Sequence, residues 1–252
     1  MASLSDLKLK YRILIQHYPF RRVDWRPGAR LAKPLREARI ALITTAGFFL
    51  PGQAPFDQSF RHDDCSYREI PDGTETNQLQ IGQSSDAFDH AGIEADRNLA
   101  LPLDRLRELV EAGKIGSAAP RHFSLMGSII APARLIDESG PEMARKLLED
   151  GVDGVLLAPV CPFCHQAAGL VQSIIEKAGI ATVSLSLLRE ITQRVEPPRV
   201  LEVDRPLGYP LGEPGNPERQ TRIMLAALGQ LKIGVAEPLV VVFDEHHEFG
   251  EA

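Results

Sequence analysis

The sequence predicts an α/β protein whose parallel sheet is built from βαβ units in a Rossmann-like arrangement. Three observations carry this. Short β-branched and leucine-rich runs recur along the second half of the chain, and helical periods of about ten residues or more separate them. With 252 residues and 44% hydrophobic content, the chain is also long enough for one substantial core.

Residues 1–38 are polar and punctuated by aromatics and by Pro19, Pro27, Gly28 and Pro34, so they read as an arm. RIALITT (39–45) is a β-rich run ending at Ala46-Gly47 and suits a buried parallel strand that opens into a loop. A long loop region comes next, from about Gly47 to Pro102, in which only TNQLQIG (76–82) alternates like a strand. So much irregular chain points to function or mobility. LDRLRELVEAGKIG is a helix, with Leu103, Leu106, Leu109 and Val110 on one face and Gly113 as its stop.

Then the alternation is regular. HFSLMG (122–127) reads as a strand, PEMARKLLEDG (141–151) as a helix, DGVLLAPV (153–160) as a strand and CHQAAGLVQSIIEKAG (164–179) as a helix. ATVSLSL (181–187) is a strand, LLREITQRV a short helix, RVLEV (199–203) a strand and NPERQTRIMLAALGQL (216–231) the closing helix. This order implies right-handed crossovers, with ligands beyond the carboxyl ends of the strands. The organisation expected is an arm at 1–38, one domain at 39–232 and a tail at 233–252.

A net charge of −6 and a pI near 5.7, with no basic run, argue against nucleic acid and anionic membranes as partners. Apolar runs are too short or interrupted to span a bilayer, and the amino terminus lacks a secretory pattern, so a cytoplasmic protein is expected. Three cysteines cannot build a disulfide framework. In a reducing compartment a CxxC pair is more often catalytic, redox-active or metal-binding.

Two of the three stand in CPFCH, at the end of the strand at 153–160. If the helix begins at Pro162, where proline is favoured, Cys161 is its N-cap, with Cys164 one turn inside and His165 on nearly the same side. The helix terminus stabilises a thiolate by about 0.3–1 kcal/mol, up to about 2 when partly buried, against about 1.4 kcal/mol per pKa unit. A protonated His165 or an arginine would have to supply the rest of any large shift. Cys161 would then be a nucleophile and Cys164 the thiol that resolves it as a disulfide.

Other readings stay open. A thioredoxin-like protein carries its CxxC early in the chain, whereas about 160 residues precede it here. Zinc needs two further ligands, which Cys65 and the histidines could supply without any second paired motif. A two-cysteine amino-acid racemase needs its second cysteine behind another strand. Two small residues packed under a helix is the plainest case.

SSDAFDHAGIEADRN (84–98) is dense in charge. His90 there could protonate a leaving amine, and Arg97 could clamp a carboxylate. Asp89 and Asp96, with Thr45 and Ser124 near strand ends, complete the expected substrate-binding set. The same stretch could equally be a solvated, self-capping loop. Asp89, His90 and Asp96 match no metal-ligand spacing, and no metal is expected. Arg121 and His122 start a strand, His62 and Cys65 sit in the long loop, and His246 and His247 lie in the tail. RPLGYPLGEPGNP (205–217) has the rigidity to frame a pocket or a subunit contact, and a homo-oligomer is expected.

ARIALITTAGFFLPG, ADRNLALPLDRLRELVEAGKIG, DGVDGVLLAPVCPFC, EKAGIATVSLSLL and RPLGYPLGEPGNP, in this order, resemble the selenoprotein B subunit family of glycine, sarcosine and betaine reductases and its D-proline reductase relatives. The resemblance covers roughly residues 38–232. It puts Cys161 at the family's selenocysteine and Cys164 at its partner cysteine. It implies an oxidoreductase that reductively breaks a carbon–nitrogen, or other carbon–heteroatom, bond of an amino acid or amine derivative. The amine would be activated by a pyruvoyl group on a partner subunit, this chain carrying no cofactor, and a thiol donor would restore the enzyme. A thiol is far less ionised at neutral pH than a selenol. The alternative is therefore a non-catalytic redox-sensing, ligand-binding or metal-binding subunit.

Overall fold

The apolar runs assemble side by side because each is hydrophobic on both faces and must be covered twice. The computed structural model describes residues 1–23, 28–58, 63–83 and 85–245. In chain order, α1 (Leu9–His17) lies in the arm and β1 (Arg39–Thr44) opens the domain, followed by β2 (Phe48–Phe49), β3 (Tyr67–Pro71), β4 (Gln80–Ile81), α2 (Ala91–Ala95) and α3 (Leu103–Glu111). Next come β5 (Ser117–Ala118), β6 (Arg121–Leu125), α4 (Gly140–Glu149), β7 (Gly154–Ala158) and α5 (Pro162–Lys177). β8 (Ala181–Ser186), α6 (Arg189–Val195), β9 (Arg199–Glu202), α7 (Pro217–Gly229) and β10 (Leu239–Val242) complete the chain.

The main sheet has the order β10-β9-β8-β7-β1-β6-β3, with the short β5 also on β1. All pairs are parallel except β3 against β6. β3 comes from the segment expected to be loop and β10 from the segment expected to be tail. TNQLQIG differs from its expected strand: Thr76–Gln78 is a 3-10 turn and only β4 pairs, antiparallel with β2. Helices α4 and α5 cover one face over Phe123, Leu125, Val155 and Leu157, and α3 and α7 cover the other. Helix α5 is buried along almost its whole length, as a helix apolar on most sides must be.

Two features fix the positions of the cysteine pair and of the arm. The chain leaving β1 reaches β6 on one side, and the chain leaving β7 reaches β8 on the other. The crevice between the carboxyl ends of β1 and β7 is thus the topological switch point where ligands of such sheets bind. At the opposite end of α5 the fully buried Arg199 and Glu176 form an ion pair, Nη1 to Oε1 at 2.5 Å. Arg199 also donates to the carbonyls of Ala29 and Ile233, and Thr182 donates twice to Glu176 Oε1. Arm and tail are thereby fastened to the sheet. Among the described residues no helix is long and apolar enough to cross a membrane.

Candidate functional site

Chain direction reverses after Val160, and Pro162 starts α5 because its missing N–H leaves nothing unpaired there. Cys161 is the N-cap, with φ −125° and ψ 170°, and its Sγ accepts the Cys164 N–H at 3.2 Å. The Cys161 and Cys164 sulfurs are joined as a disulfide, Cα atoms 4.9 Å apart.

His165 is not the charged neighbour that a large thiol shift would need. Its Nδ1–H donates to the Cys161 carbonyl at 2.8 Å, and its Nε2 accepts from the Leu187 N–H at 3.0 Å. An acceptor nitrogen has no proton, so the ring is neutral, and burial pushes its pKa down from 6.5 to about 4. The histidine ties the CPFC turn to the end of β8 instead of polarising a thiol.

This burial makes stability depend on pH. Between pH 6.5 and about 4 the unfolded chain protonates this ring and the folded chain does not. Stability is therefore full above pH 6.5 and falls as the pH drops, by roughly 3 kcal/mol at most from this group. The fully buried His122, also pushed down by burial, adds to the same fall. Urea unfolding from pH 7 to 4 should show a clearly shallower slope in His165→Gln than in wild type; equal slopes would place the proton elsewhere.

Thr45 and Gly127 roof the pair. Thr45 Oγ1 accepts the Val160 N–H at 3.3 Å, and the Thr45 carbonyl stands 3.7 Å from Cys164 Sγ. Gly127 has φ +74°, and a Cβ there would lie 2.4 Å from Thr45 Cβ and 2.9 Å from Cys164 Sγ, so only glycine fits. The outcome is closure: Cys161 is 1% exposed and Cys164 0%.

Beside them opens a cleft of about 310 Å³. Phe163, Met126, Gln83, Ser128, Lys10 and Tyr11 line it, together with the carboxylates of Asp57, Asp63, Asp64 and Asp86. Phe163, which lies between the two cysteines, carries the rings of Tyr18 and Phe20 from the arm, with centroids at 5.0 and 5.6 Å. The Tyr18 hydroxyl donates to the Ile130 carbonyl and accepts from Gln166 Nε2 at 3.1 Å. Asp86 accepts from Lys8, Lys10 and the Tyr11 hydroxyl, which hold its carboxyl well below the usual carboxylate range.

The structure brings Thr45 and His165 to the cysteines but keeps His90, Asp89, Asp96 and Arg97 apart from them. His90 lies in an adjoining cleft, Nε2 donating to the Ser85 carbonyl at 2.7 Å and its ring stacked on Phe88. Asp89 accepts from Tyr209 and from its own helix at Ala91, and Asp96 from Asn98, Gly215 and Gln220. Both carboxylates thus join the 85–98 and 205–217 segments. Arg97 donates to the carbonyls of Leu79, Ile93 and Glu94, away from the cysteines, on a third cleft. Ser124 is buried within the sheet, where its Oγ has no partner among the described residues.

Cys65 is buried and free, and burial pushes its thiol up. Arg121 pairs with Glu69 and Asp150 at the far end of the sheet. His62, His246 and His247 lie outside the described residues. No group of three His, Cys, Asp or Glu among the described residues could hold a metal ion. The arm residues Lys10, Tyr11, Tyr18 and Phe20 escape sequence reasoning, since nothing in the sequence tells that an amino-terminal segment folds back on residue 163.

The family profile described as glycine/sarcosine/betaine reductase selenoprotein B matches residues 7–160, ending one residue before Cys161. D-proline reductase subunit gamma of Acetoanaerobium sticklandii is 34% identical over 207 residues, 82% of each chain. Betaine reductase complex component B subunit beta of Peptoclostridium acidaminophilum is 29% identical over 193 residues, 75% of this chain and 43% of that one. Sarcosine reductase complex component B subunit beta of the same organism is 27% identical over 234 residues, 88% of this chain and 52% of the other. The chain thus spans about half the length of these last two relatives. No solved structure matches.

Proposed function

Since the chain belongs to the glycine/sarcosine/betaine reductase selenoprotein B family, we propose that it is the thiol-bearing subunit of a reductase complex that cleaves a carbon–nitrogen bond, with Cys161 as nucleophile and Cys164 as resolving thiol. One observation carries the reading: a bonded Cys161–Cys164 pair at a helix mouth, at the switch point of the sheet.

In the reduced protein the Cys161 thiolate attacks the carbon bearing the amino group. The carbon–sulfur bond forms as the carbon–nitrogen bond breaks, and the amine leaves with a proton. Cys164, deprotonated, then attacks the Cys161 sulfur. The disulfide forms as the carbon–sulfur bond breaks, and the electron pair stays on a carbon next to a carboxylate or carbonyl until it takes a proton. Carbon gains two electrons, two thiols lose them, and an external dithiol restores the pair.

A pyruvoyl group on a partner subunit would supply activation of the amine. Four carboxylates line the cleft, of which Asp86 is paired with Lys8 and Lys10 and Asp64 faces Arg68, so the cleft is polar and carries charge of both signs. Lys10 and Tyr11 line the same cleft and bear protons for the departing nitrogen; His90, in the adjoining cleft that shares Ser85 and Asp86, is the next such group. A second reading, a subunit whose disulfide reports redox state without turnover, is favoured by the burial of both sulfurs.

The test is turnover by the chain expressed with its partner subunits, with dithiothreitol as donor and D-proline, glycine, sarcosine and betaine as a panel. Reductive cleavage of at least one, lost in Cys161→Ala, is the expected result. An intact complex that cleaves none of the four leaves the redox reading in its place.

A further inference from the structure

The two sulfurs are sealed, yet thiol–disulfide exchange requires an incoming thiolate to reach one of them along the sulfur–sulfur axis. Some part of the cover must lift.

The roof of Thr45 and Gly127 is poorly suited to do so. It is built into the sheet ends by Thr45 N–H to Ala158 O at 3.3 Å and Gly47 N–H to Leu125 O at 2.9 Å. Gln83 Nε2 bonds the Met126 carbonyl from above.

The arm is held differently. Helix α1 buries only Ile15, while Leu9 is 66% and Ile13 52% exposed. Its link to the 85–98 segment consists of side chains at the surface, Lys8, Lys10 and Tyr11 converging on Asp86. Its aromatic end rests on Phe163, inside the CPFC turn, and hydrogen-bonds to Ile130 and Gln166.

From this contrast we infer that residues 8–20, held between anchors at Ala2 on Arg205 and Val23 on Val195, are a strap over the CPFC turn, latched by Asp86, whose lifting admits a dithiol reductant to the Cys161–Cys164 disulfide. The strap rests on the proposed function and deepens it by giving the electron donor its way in. It concerns access alone, so it can be tested without any turnover.

The strap's latch is ionic and exposed, so its strength is set by charge and salt. The disulfide in the full chain is reduced with dithiothreitol, and the freed thiols are quenched with iodoacetamide and followed by peptide mass spectrometry. Asp86→Asn should speed reduction roughly two- to fivefold, the range open to a surface ion-pair cluster. Added sodium chloride should carry the wild-type rate toward that of the variant. Tyr18→Phe, which removes the hydroxyl bonded to Ile130 and Gln166, should speed it by a similar factor.

Cys65, buried on the other face of the sheet, is the internal control, and its alkylation rate should not change. Equal reduction rates in wild type and Asp86→Asn would overturn the strap. So would a rise in Cys65 labelling by the same factor, which would mean that the whole fold had loosened. Amide hydrogen exchange gives an independent measure: residues 9–18 should exchange well before those of α5, and simultaneous exchange would also overturn the inference.

Discussion

In the reduced protein, Cys161→Ser is expected to abolish the fast, low-pH phase of alkylation and to cut total thiol reactivity at pH 7 by at least about tenfold. Cys164→Ser should keep that phase. The two sulfurs differ in what faces them. Cys161 Sγ accepts the Cys164 N–H at 3.2 Å and caps the positive end of a helix, both of which favour a thiolate. Cys164 Sγ lies 3.7 Å from the Thr45 carbonyl, which can only accept, so the proton is held there. A difference of about 1.4 kcal/mol between these settings gives a tenfold ratio of thiolates, and a helix terminus plus one hydrogen bond to a charged acceptor is of that size. His165 adds nothing, being neutral. Iodoacetamide labelling from pH 5 to 9, resolved by peptide, measures both thiols. A Cys164 that reacts first would reverse the assignment, and in the reconstituted complex Cys161→Ser should reduce any cleavage to background.

Glu176→Ala is expected to cost about 3–5 kcal/mol of stability, the usual loss when a buried ion pair is left with one partner. Arg199 is wholly buried and aims its guanidinium at Glu176 and at the carbonyls of Ala29 and Ile233. With the carboxylate gone, a full charge stays in the interior. Arg199→Met should cost less, because burial already pushes the remaining Glu176 carboxyl toward its neutral form, in which no charge is stranded. The double variant should cost distinctly less than the two single losses added together, since no charge is left unpaired. Chemical unfolding of the four proteins checks this; additive losses would show that the two residues act separately.

The βαβ core is legible in the sequence because its signals are local. Runs such as DGVLLAPV and ATVSLSL are apolar on both faces, and glycine or proline marks their ends. β3 is hidden because only Ile70 of its five residues is buried, so the run shows no alternation. β10, with alternating partial exposure, resembles a tail. At the site, the N-cap position of Cys161 can be read from Pro162 alone. The state of His165 cannot, because the group that fixes it is a backbone amide of Leu187, supplied by another strand. Asp89 and Asp96 look available in the sequence, but their partners Tyr209, Gly215 and Gln220 lie more than a hundred residues away.

The arm's anchors lie far down the chain: Val23 N–H on Val195, Gly28 on Val235 and Leu31 on Leu231. During synthesis, at about 5–20 residues per second, the segment around Leu31 emerges from the ribosome roughly 10–40 s before its partner. For that interval Leu31 has no partner, whereas Phe163, on which Tyr18 and Phe20 rest, has already emerged by its end. Fastening of the base of the arm to the sheet is therefore among the last events of the chain's biogenesis.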